Sequence, residues 1–178
     1  DPVNVTARAR ENMRALCRIA REEQVVLAPA LLDFLLADRH PDFVTDARRR
    51  RLLTLILQRF VREIEGDPQL ARSVLMWDWM NEPFNMAAVV TPERFAVVQQ
   101  FLKDGVDAIH RAGGMATVGM RSSRDVPFLR GRVAVDFWQL HYWPLVEGRR
   151  NPDRLGMDVR ALAGPIPAGW GELPIEAG

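Results

Sequence analysis

The sequence predicts an α/β fold in one domain over residues 1–178, present as a partial (β/α)8 barrel. Five short apolar stretches with strand character alternate with helical stretches, as in right-handed crossovers between parallel strands. The strands are apolar throughout, as expected where both faces of a sheet are covered. Three strands end in polar side chains, which favours a barrel over an open doubly wound sheet, because barrels build their sites on one rim.

The helices and strands are assigned in chain order from hydrophobic periodicity. Helices, each with apolar residues three and four positions apart, are predicted at residues 6–23, 46–65 and 91–112. Strands, each a short apolar run, are predicted at residues 25–34, 74–81, 115–120, 133–142 and 172–176. Thr45 and Thr91 are the expected caps of the second and third helices, and Gly113 ends the third. No glycine-rich phosphate loop follows any of these strands.

The composition is that of an ordinary globular domain. Its 178 residues are 48% apolar and carry a net charge of +1, which gives no reason to expect a nucleic acid or a membrane as partner. The single cysteine, Cys17, lies on an apolar helix face with Met13, Leu16 and Ala20, so we expect a buried structural thiol. The His and acidic residues lack metal-ligand spacing, and we predict neither a metal nor a cofactor.

The stretch around residues 74–83 is the most informative part of the sequence. An apolar run ends in Asn81 and Glu82, and Pro83 stops it. Ionised glutamate is costly away from water, so a carboxylate at the end of a buried strand points to chemistry. Strand alternation cannot direct both Asn81 and Glu82 to one face, and a bulge or twist is therefore predicted here.

Two later strands also end in polar or aromatic residues. One ends in His141, Tyr142 and Trp143, and the last ends in Glu176. Asp33 ends the first strand and has two open interpretations, a side chain on the same rim or a solvated residue before a helix.

The order of these motifs resembles the retaining glycoside hydrolases of clan A, the cellulase, mannanase and related β-glycosidase barrels. Asn81-Glu82-Pro83 follows one strand, His141-Tyr142-Trp143 follows the next but one, and Glu176 closes a later strand. Trp143 stands where the family usually has tyrosine. The resemblance implies that the chain is a fragment of a glycoside hydrolase catalytic barrel, from about its third strand to its seventh.

The resemblance also implies a role for each site residue in cleaving a β-linked carbohydrate. Glu82 is the expected acid/base and Glu176 the nucleophile, with carboxyl groups roughly 5–5.5 Å apart. Asn81 is expected to bind the 2-hydroxyl of the sugar, and His141 or Tyr142 to hold Glu176. Trp143 is a candidate substrate-binding residue that would stack on a sugar ring, with a place in the core as the alternative. Separately, the apolar neighbours of Glu82 on its strand would favour its protonated form.

A second hypothesis is a non-catalytic barrel fragment that binds carbohydrate or a partner protein without turnover. Glu176 separates the two, because a carboxylate that faces away from Glu82 leaves binding possible and removes hydrolysis. Two open sheet edges are expected where strands of a complete barrel are absent, and these edges predict association with further strands. The sequence assigns no particular sugar, linkage or cellular location.

Overall fold

The computed structural model describes residues 5–141 and 164–172. The α-helices are α1 Ala7–Glu22, α2 Phe34–Arg39, α3 Asp42–Thr45, α4 Ala47–Glu65, α5 Pro68–Ala71, α6 Phe95–Ala112 and α7 Val126–Leu129. The strands are β1 Trp77–Asn81, β2 Ala116–Met120, β3 Trp138–His141 and β4 Ala168–Glu172. Within this part of the chain, no helix has both the length and the apolar character needed to cross a bilayer.

The four strands form one parallel sheet in the order β1-β2-β3-β4. Residues 27–33 lie along the other side of β1 through three isolated parallel bridges, between Leu27 and Val74, Ala30 and Asp78, and Asp33 and Asn81. The spatial order of the described strands therefore follows their order in the chain. A doubly wound sheet reverses its strand order at a switch point, and the described strands contain no such reversal.

The first predicted strand, residues 25–34, is an extended segment with interrupted pairing. Pro29 has no amide hydrogen, so it cannot donate to a ladder, although its carbonyl accepts from the Asp78 amide at 3.0 Å. Leu31 donates in turn to the Asp78 carbonyl at 2.8 Å. The segment ends early because Asp33 caps α2, accepting from the Leu35 amide at 2.9 Å.

Helix α1 matches the predicted helix but buries a narrower face. Thr6 caps it, accepting from the Ala9 amide at 3.1 Å. The buried stripe, at a spacing of four and then three, consists of Met13, Cys17 and Ala20. Leu16, which the sequence placed on the same face, is 45% exposed because it flanks the stripe. Cys17 is fully buried as predicted, and burial raises the pKa of its thiol.

The tryptophans of β1 point to the helices on one face of the sheet. The Trp77 ring contacts the Phe60 ring of α4, with centroids 6.0 Å apart, and the Trp79 ring contacts Phe101 of α6 at 5.5 Å. A Cβ on Gly105 of α6 would lie 2.0 Å from Trp79, so only glycine permits this close packing. These contacts direct Asp78, the residue between the two tryptophans, to the opposite face.

The start of α4 differs from prediction by one residue. Asp46, rather than Thr45, caps the helix and accepts from the Arg49 amide at 2.8 Å. Thr45 instead ends α3, and its hydroxyl donates to the Pro41 carbonyl at 3.1 Å. The short helix α3, which the sequence did not predict, therefore precedes α4 directly.

Helix α6 begins at Phe95, four residues after its predicted start. Thr91 does not act as a cap, since its side chain is hydrogen-bonded to Glu93 and lowers the pKa of that carboxyl. Residues 91–94 form a turn in which the Arg94 amide donates to the Thr91 carbonyl at 3.1 Å. The helix ends as predicted at Gly113, whose φ of +98° is a left-handed conformation that suits glycine.

The last two strands are shorter than predicted or displaced. Strand β3 begins at Trp138 rather than at residue 133, because the Val133 amide bonds back to the Leu129 carbonyl of α7 at 2.9 Å. Strand β4 ends at Glu172, where the sequence placed the beginning of the last strand. The remainder of that predicted strand, residues 173–176, lies outside the described residues.

A partly buried carboxyl group, that of Glu65 at the end of α4, predicts a pH effect on stability. Trp77 donates from Nε1 to Glu65 at 2.6 Å, and burial raises the pKa of Glu65 against the opposing effect of this hydrogen bond. The folded chain therefore binds more protons than the unfolded chain above the ordinary pKa of 4.5, and the free energy of unfolding falls as pH rises through this range.

Glu65→Gln is expected to make this pH dependence shallower, because glutamine keeps an acceptor for Trp77 and does not titrate. Urea unfolding between about pH 4.5 and pH 7 measures the slope. Glu22→Gln on the exposed surface is the matched control and should leave the slope unchanged. Equal slopes for the wild type and Glu65→Gln would contradict the assignment.

Candidate active site

Glu82 follows β1 immediately and has a left-handed backbone conformation, with φ 48° and ψ 53°. Among the described non-glycine residues, only Gln24 shares a positive φ. The following Pro83 disfavours the right-handed helical conformation at Glu82. A left-handed non-glycine residue costs on the order of 1–3 kcal/mol, and such strain is concentrated at functional sites.

Both carboxyl oxygens of Glu82 have side-chain partners. Oε1 lies 2.8 Å from Nδ1 of His141, and Oε2 accepts from Nδ2 of Asn85 at 2.5 Å. His141 is fully buried at the end of β3, and Glu82 is only 8% exposed. The structure thus brings together two of the predicted site residues from strand ends that are separated by β2. Two-point contact leaves the carboxyl group little rotational freedom.

A charged network extends from Asn85 along the rim. Asn85 accepts at Oδ1 from Nη1 of Arg121, and Nη2 of Arg121 lies 3.2 Å from the buried Asp125. The guanidinium of Arg121 is therefore two hydrogen bonds away from Glu82. None of these three residues was predicted from the sequence, although Arg121 follows directly after a predicted strand, which was the available signal.

Asn81 is oriented by Asp33 on the neighbouring segment. Nδ2 of Asn81 donates to Oδ2 of Asp33 at 3.2 Å, while Oδ1 of Asp33 accepts from the Leu35 amide. Both interpretations that the sequence left open for Asp33 therefore apply, since it lines the rim and precedes a helix. In this hydrogen bond the side-chain nitrogen of Asn81 faces Asp33, and the side-chain oxygen of Asn81 therefore faces away from Asp33.

A bulge is present near the end of β1, but it lies between Asp78 and Asn81 rather than between Asn81 and Glu82, where the sequence predicted it. Asp78 pairs with Thr117 and Asn81 with Gly119, so three steps along β1 stand opposite two steps along β2. Residues three apart normally face opposite sides of a sheet. Here Oδ2 of Asp78 and Oδ1 of Asn81 lie 2.9 and 3.1 Å from the point where a Cβ on Gly119 would be. The extra residue therefore turns both polar side chains to one face.

Gly119 provides the space in which these groups meet. The same Cβ position lies 3.3 Å from Cε1 of His141. Side chains from β1 and β3 thus converge above β2 because β2 carries no side chain at this point.

Two of the apolar neighbours that the sequence placed around Glu82 are directed to the helices instead. The rings of Trp77 and Trp79 contact helices α4 and α6, whereas the side chains of His141 and Asn85 contact the carboxyl group of Glu82. Both tryptophans alternate with Asp78 along β1 and therefore lie on the face opposite to it.

Three predicted site residues, Tyr142, Trp143 and Glu176, lie outside the described residues. The predicted contact of His141 or Tyr142 with Glu176 accordingly stays a prediction. Within residues 5–141 and 164–172, no group of three or more His, Cys, Asp or Glu side chains is arranged to hold a metal ion.

A scan against protein-family models gives no match, and a search of curated proteins gives none either. Among solved structures, the chain is similar to a β-1,4-mannanase from the common sea hare Aplysia kurodai, with a TM-score of 0.61 and 16% sequence identity. The match covers 83% of this chain and 54% of that chain, so this chain spans about half the length of its structural neighbour. The likeness shows a shared fold, which is mixed α/β and TIM-barrel-like.

Proposed function

We propose that the protein is a retaining β-glycosidase that hydrolyses O-glycosidic bonds of a β-linked oligo- or polysaccharide, with a partial (β/α)8 barrel as its fold. The observation that carries the proposal is Glu82, a nearly buried carboxyl group held on both oxygens at the C-terminal end of a parallel sheet. Its strained backbone and the fold shared with a β-1,4-mannanase support the same conclusion.

In this proposal Glu82 is the general acid and base. It protonates the leaving oxygen while Glu176 attacks the anomeric carbon, and it then activates the water that releases the sugar from Glu176. A protonated Nδ1 of His141 donates to Oε1 of Glu82, which stabilises the carboxylate left after proton transfer. Asn85 holds the second oxygen, so the carboxyl group keeps its orientation in both steps.

The remaining residues are proposed to bind the carbohydrate. The side chain of Asn81, oriented by Asp33, is proposed to form a hydrogen bond with the 2-hydroxyl of the sugar, and this contact strengthens toward the transition state. Tyr142 and Trp143 follow His141 directly and are proposed to line the same rim. Further strands are proposed to pair beyond β4 and beyond residues 27–33, which would complete the barrel.

Product stereochemistry tests the proposed mechanism. The full-length protein is incubated with β-linked polysaccharides, among them the β-1,4-mannan that the name of the structural neighbour indicates, and the first product is observed by NMR. We expect the β-anomer to form first. An α-anomer as first product would show that the mechanism is inverting and not retaining. Binding of the polysaccharide without turnover would favour the non-catalytic module.

Trapping the covalent intermediate tests the role of Glu176. A 2-fluoro glycoside with an activated leaving group is expected to accumulate as a glycosyl ester, because the fluorine slows both steps and the activated leaving group speeds only the formation of the ester. Mass spectrometry of peptides should locate the label on Glu176, and Glu176→Gln should remain unlabelled. A label on another residue would show that Glu176 is not the nucleophile.

A further inference from the structure

We propose that Asp78 is a positioning residue for Glu82, acting through the bulge at the end of β1; the catalytic part of this inference rests on the proposed function. Asp78 is 1% exposed and lies four residues before Glu82. Its carboxylate is proposed to hold the backbone of β1 and β2 beside Glu82.

One carboxylate oxygen of Asp78 binds two backbone amides on different strands. Oδ1 accepts from the Met80 amide of β1 and from the Gly119 amide of β2, each at 3.0 Å. The extra residue in β1 shifts the carbonyls that would otherwise pair with β2. The side chain of Asp78 supplies an acceptor at the point where the ladder is interrupted.

The backbone amide and carbonyl of Asp78 form hydrogen bonds on the other side of β1. Its amide donates to Pro29 and its carbonyl accepts from Leu31, both on the adjoining segment. Only the side chain is therefore directed to β2. Asp78 thus joins the bulge to the strands on both sides of it.

Gly119 connects Asp78 to Glu82. The Gly119 amide donates to Oδ1 of Asp78, and the carbonyl of the same residue accepts from the Glu82 amide at 2.9 Å. Two hydrogen bonds therefore lead from the buried carboxylate of Asp78 to the backbone of Glu82. This link holds Glu82 in its left-handed conformation, from which the side chain reaches His141 and Asn85.

Removing the carboxylate should harm proton transfer more than substrate binding. Asp78→Ala is expected to lower kcat on unactivated β-glycosides by about 10–100-fold, since a misplacement of about 1 Å can cost a factor of 10². KM should change little. With leaving groups that need no proton, the loss in kcat/KM, which reports the first step, should be much smaller, because their departure does not depend on the position of the acid. Asp78→Asn keeps an acceptor oxygen and should restore most of the rate.

Asp136 offers a matched control at the other end of β2. Its Oδ2 accepts from the Ala116 amide at 2.7 Å, so it is also a carboxylate that holds a β2 amide. Asp136→Ala should lower stability without any dependence on the leaving group. If Asp78→Ala reduces both substrate classes equally, or Asp78→Asn fails to restore the rate, Asp78 is merely structural and the inference is overturned.

Amide hydrogen exchange gives a readout that does not depend on hydrolysis. In Asp78→Ala, the amides of Met80, Gly119 and Glu82 should exchange faster, whereas Asp136→Ala should accelerate Ala116 and leave Glu82 unchanged. Unchanged protection of Glu82 in Asp78→Ala would overturn the inference, whatever the activity. Faster exchange in a protein without glycosidase activity would refute the proposed function and retain the link between Asp78 and Glu82.

Discussion

Glu82→Gln is expected to lower kcat/KM on unactivated β-glycosides by about 10²–10⁴-fold, the usual contribution of a general acid. Glutamine has nearly the same shape, and its carbonyl oxygen can still accept from Asn85. His141 can accommodate the new amide by presenting an unprotonated Nδ1 to it. We therefore expect the fold to survive, which thermal unfolding monitored by circular dichroism would verify.

Comparing substrates with poor and good leaving groups shows whether this loss in kcat/KM reflects acid catalysis. The value of kcat/KM on aryl glycosides with good leaving groups, which reports the first step, should fall far less, because departure of these groups needs no proton. Glu65→Gln, which changes another partly buried glutamate, at the end of α4, should leave both substrate classes at wild-type rates. Equal losses on both classes in Glu82→Gln would exclude Glu82 as the acid.

Gly119→Ala is expected to have the second large effect. The new Cβ would lie 2.9 Å from Oδ2 of Asp78 and 3.1 Å from Oδ1 of Asn81. Asp78 cannot easily move away, because its other oxygen binds two amides. We expect a loss of about 1–3 kcal/mol in the free energy of unfolding, typical of overpacking, and a fall of roughly 10²-fold in kcat.

Val118→Ala on the same strand separates the two consequences. Val118 is fully buried in the core, so its truncation lowers the free energy of unfolding without filling the space above β2. Assays well below both melting temperatures should find Val118→Ala nearly as active as the wild type and Gly119→Ala impaired. If the two variants lose stability and activity in the same proportion, the site does not depend on the space at Gly119.

The sequence by itself determined those features of the fold that depend on a few consecutive residues. The apolar run before Asn81 and Glu82 required a buried strand, and a left-handed glycine was required where α6 ends at Gly113. Alternation along the strand predicted an irregularity at this strand end, because no regular strand directs both Asn81 and Glu82 to one face, although the bulge itself lies between Asp78 and Asn81. These features follow from the backbone geometry of a few consecutive residues.

Helix starts were less predictable for a physical reason that Thr91 and Thr45 illustrate. Each has the side chain of a cap, but its hydroxyl is hydrogen-bonded elsewhere, to Glu93 and to the Pro41 carbonyl respectively. Capping residues compete with one another over one or two positions, and the difference in free energy between the alternatives is small.

Tertiary structure alone decided which side chains meet at Glu82. His141 lies 59 positions further along the chain, and its contact with Glu82 depends on the strand order, on the register and on the absence of a side chain at Gly119. The same holds for Arg121, which reaches Glu82 only through Asn85. Sequence pattern indicates where a strand ends, but the distance between two strand ends depends on every residue that sets the pairing between them.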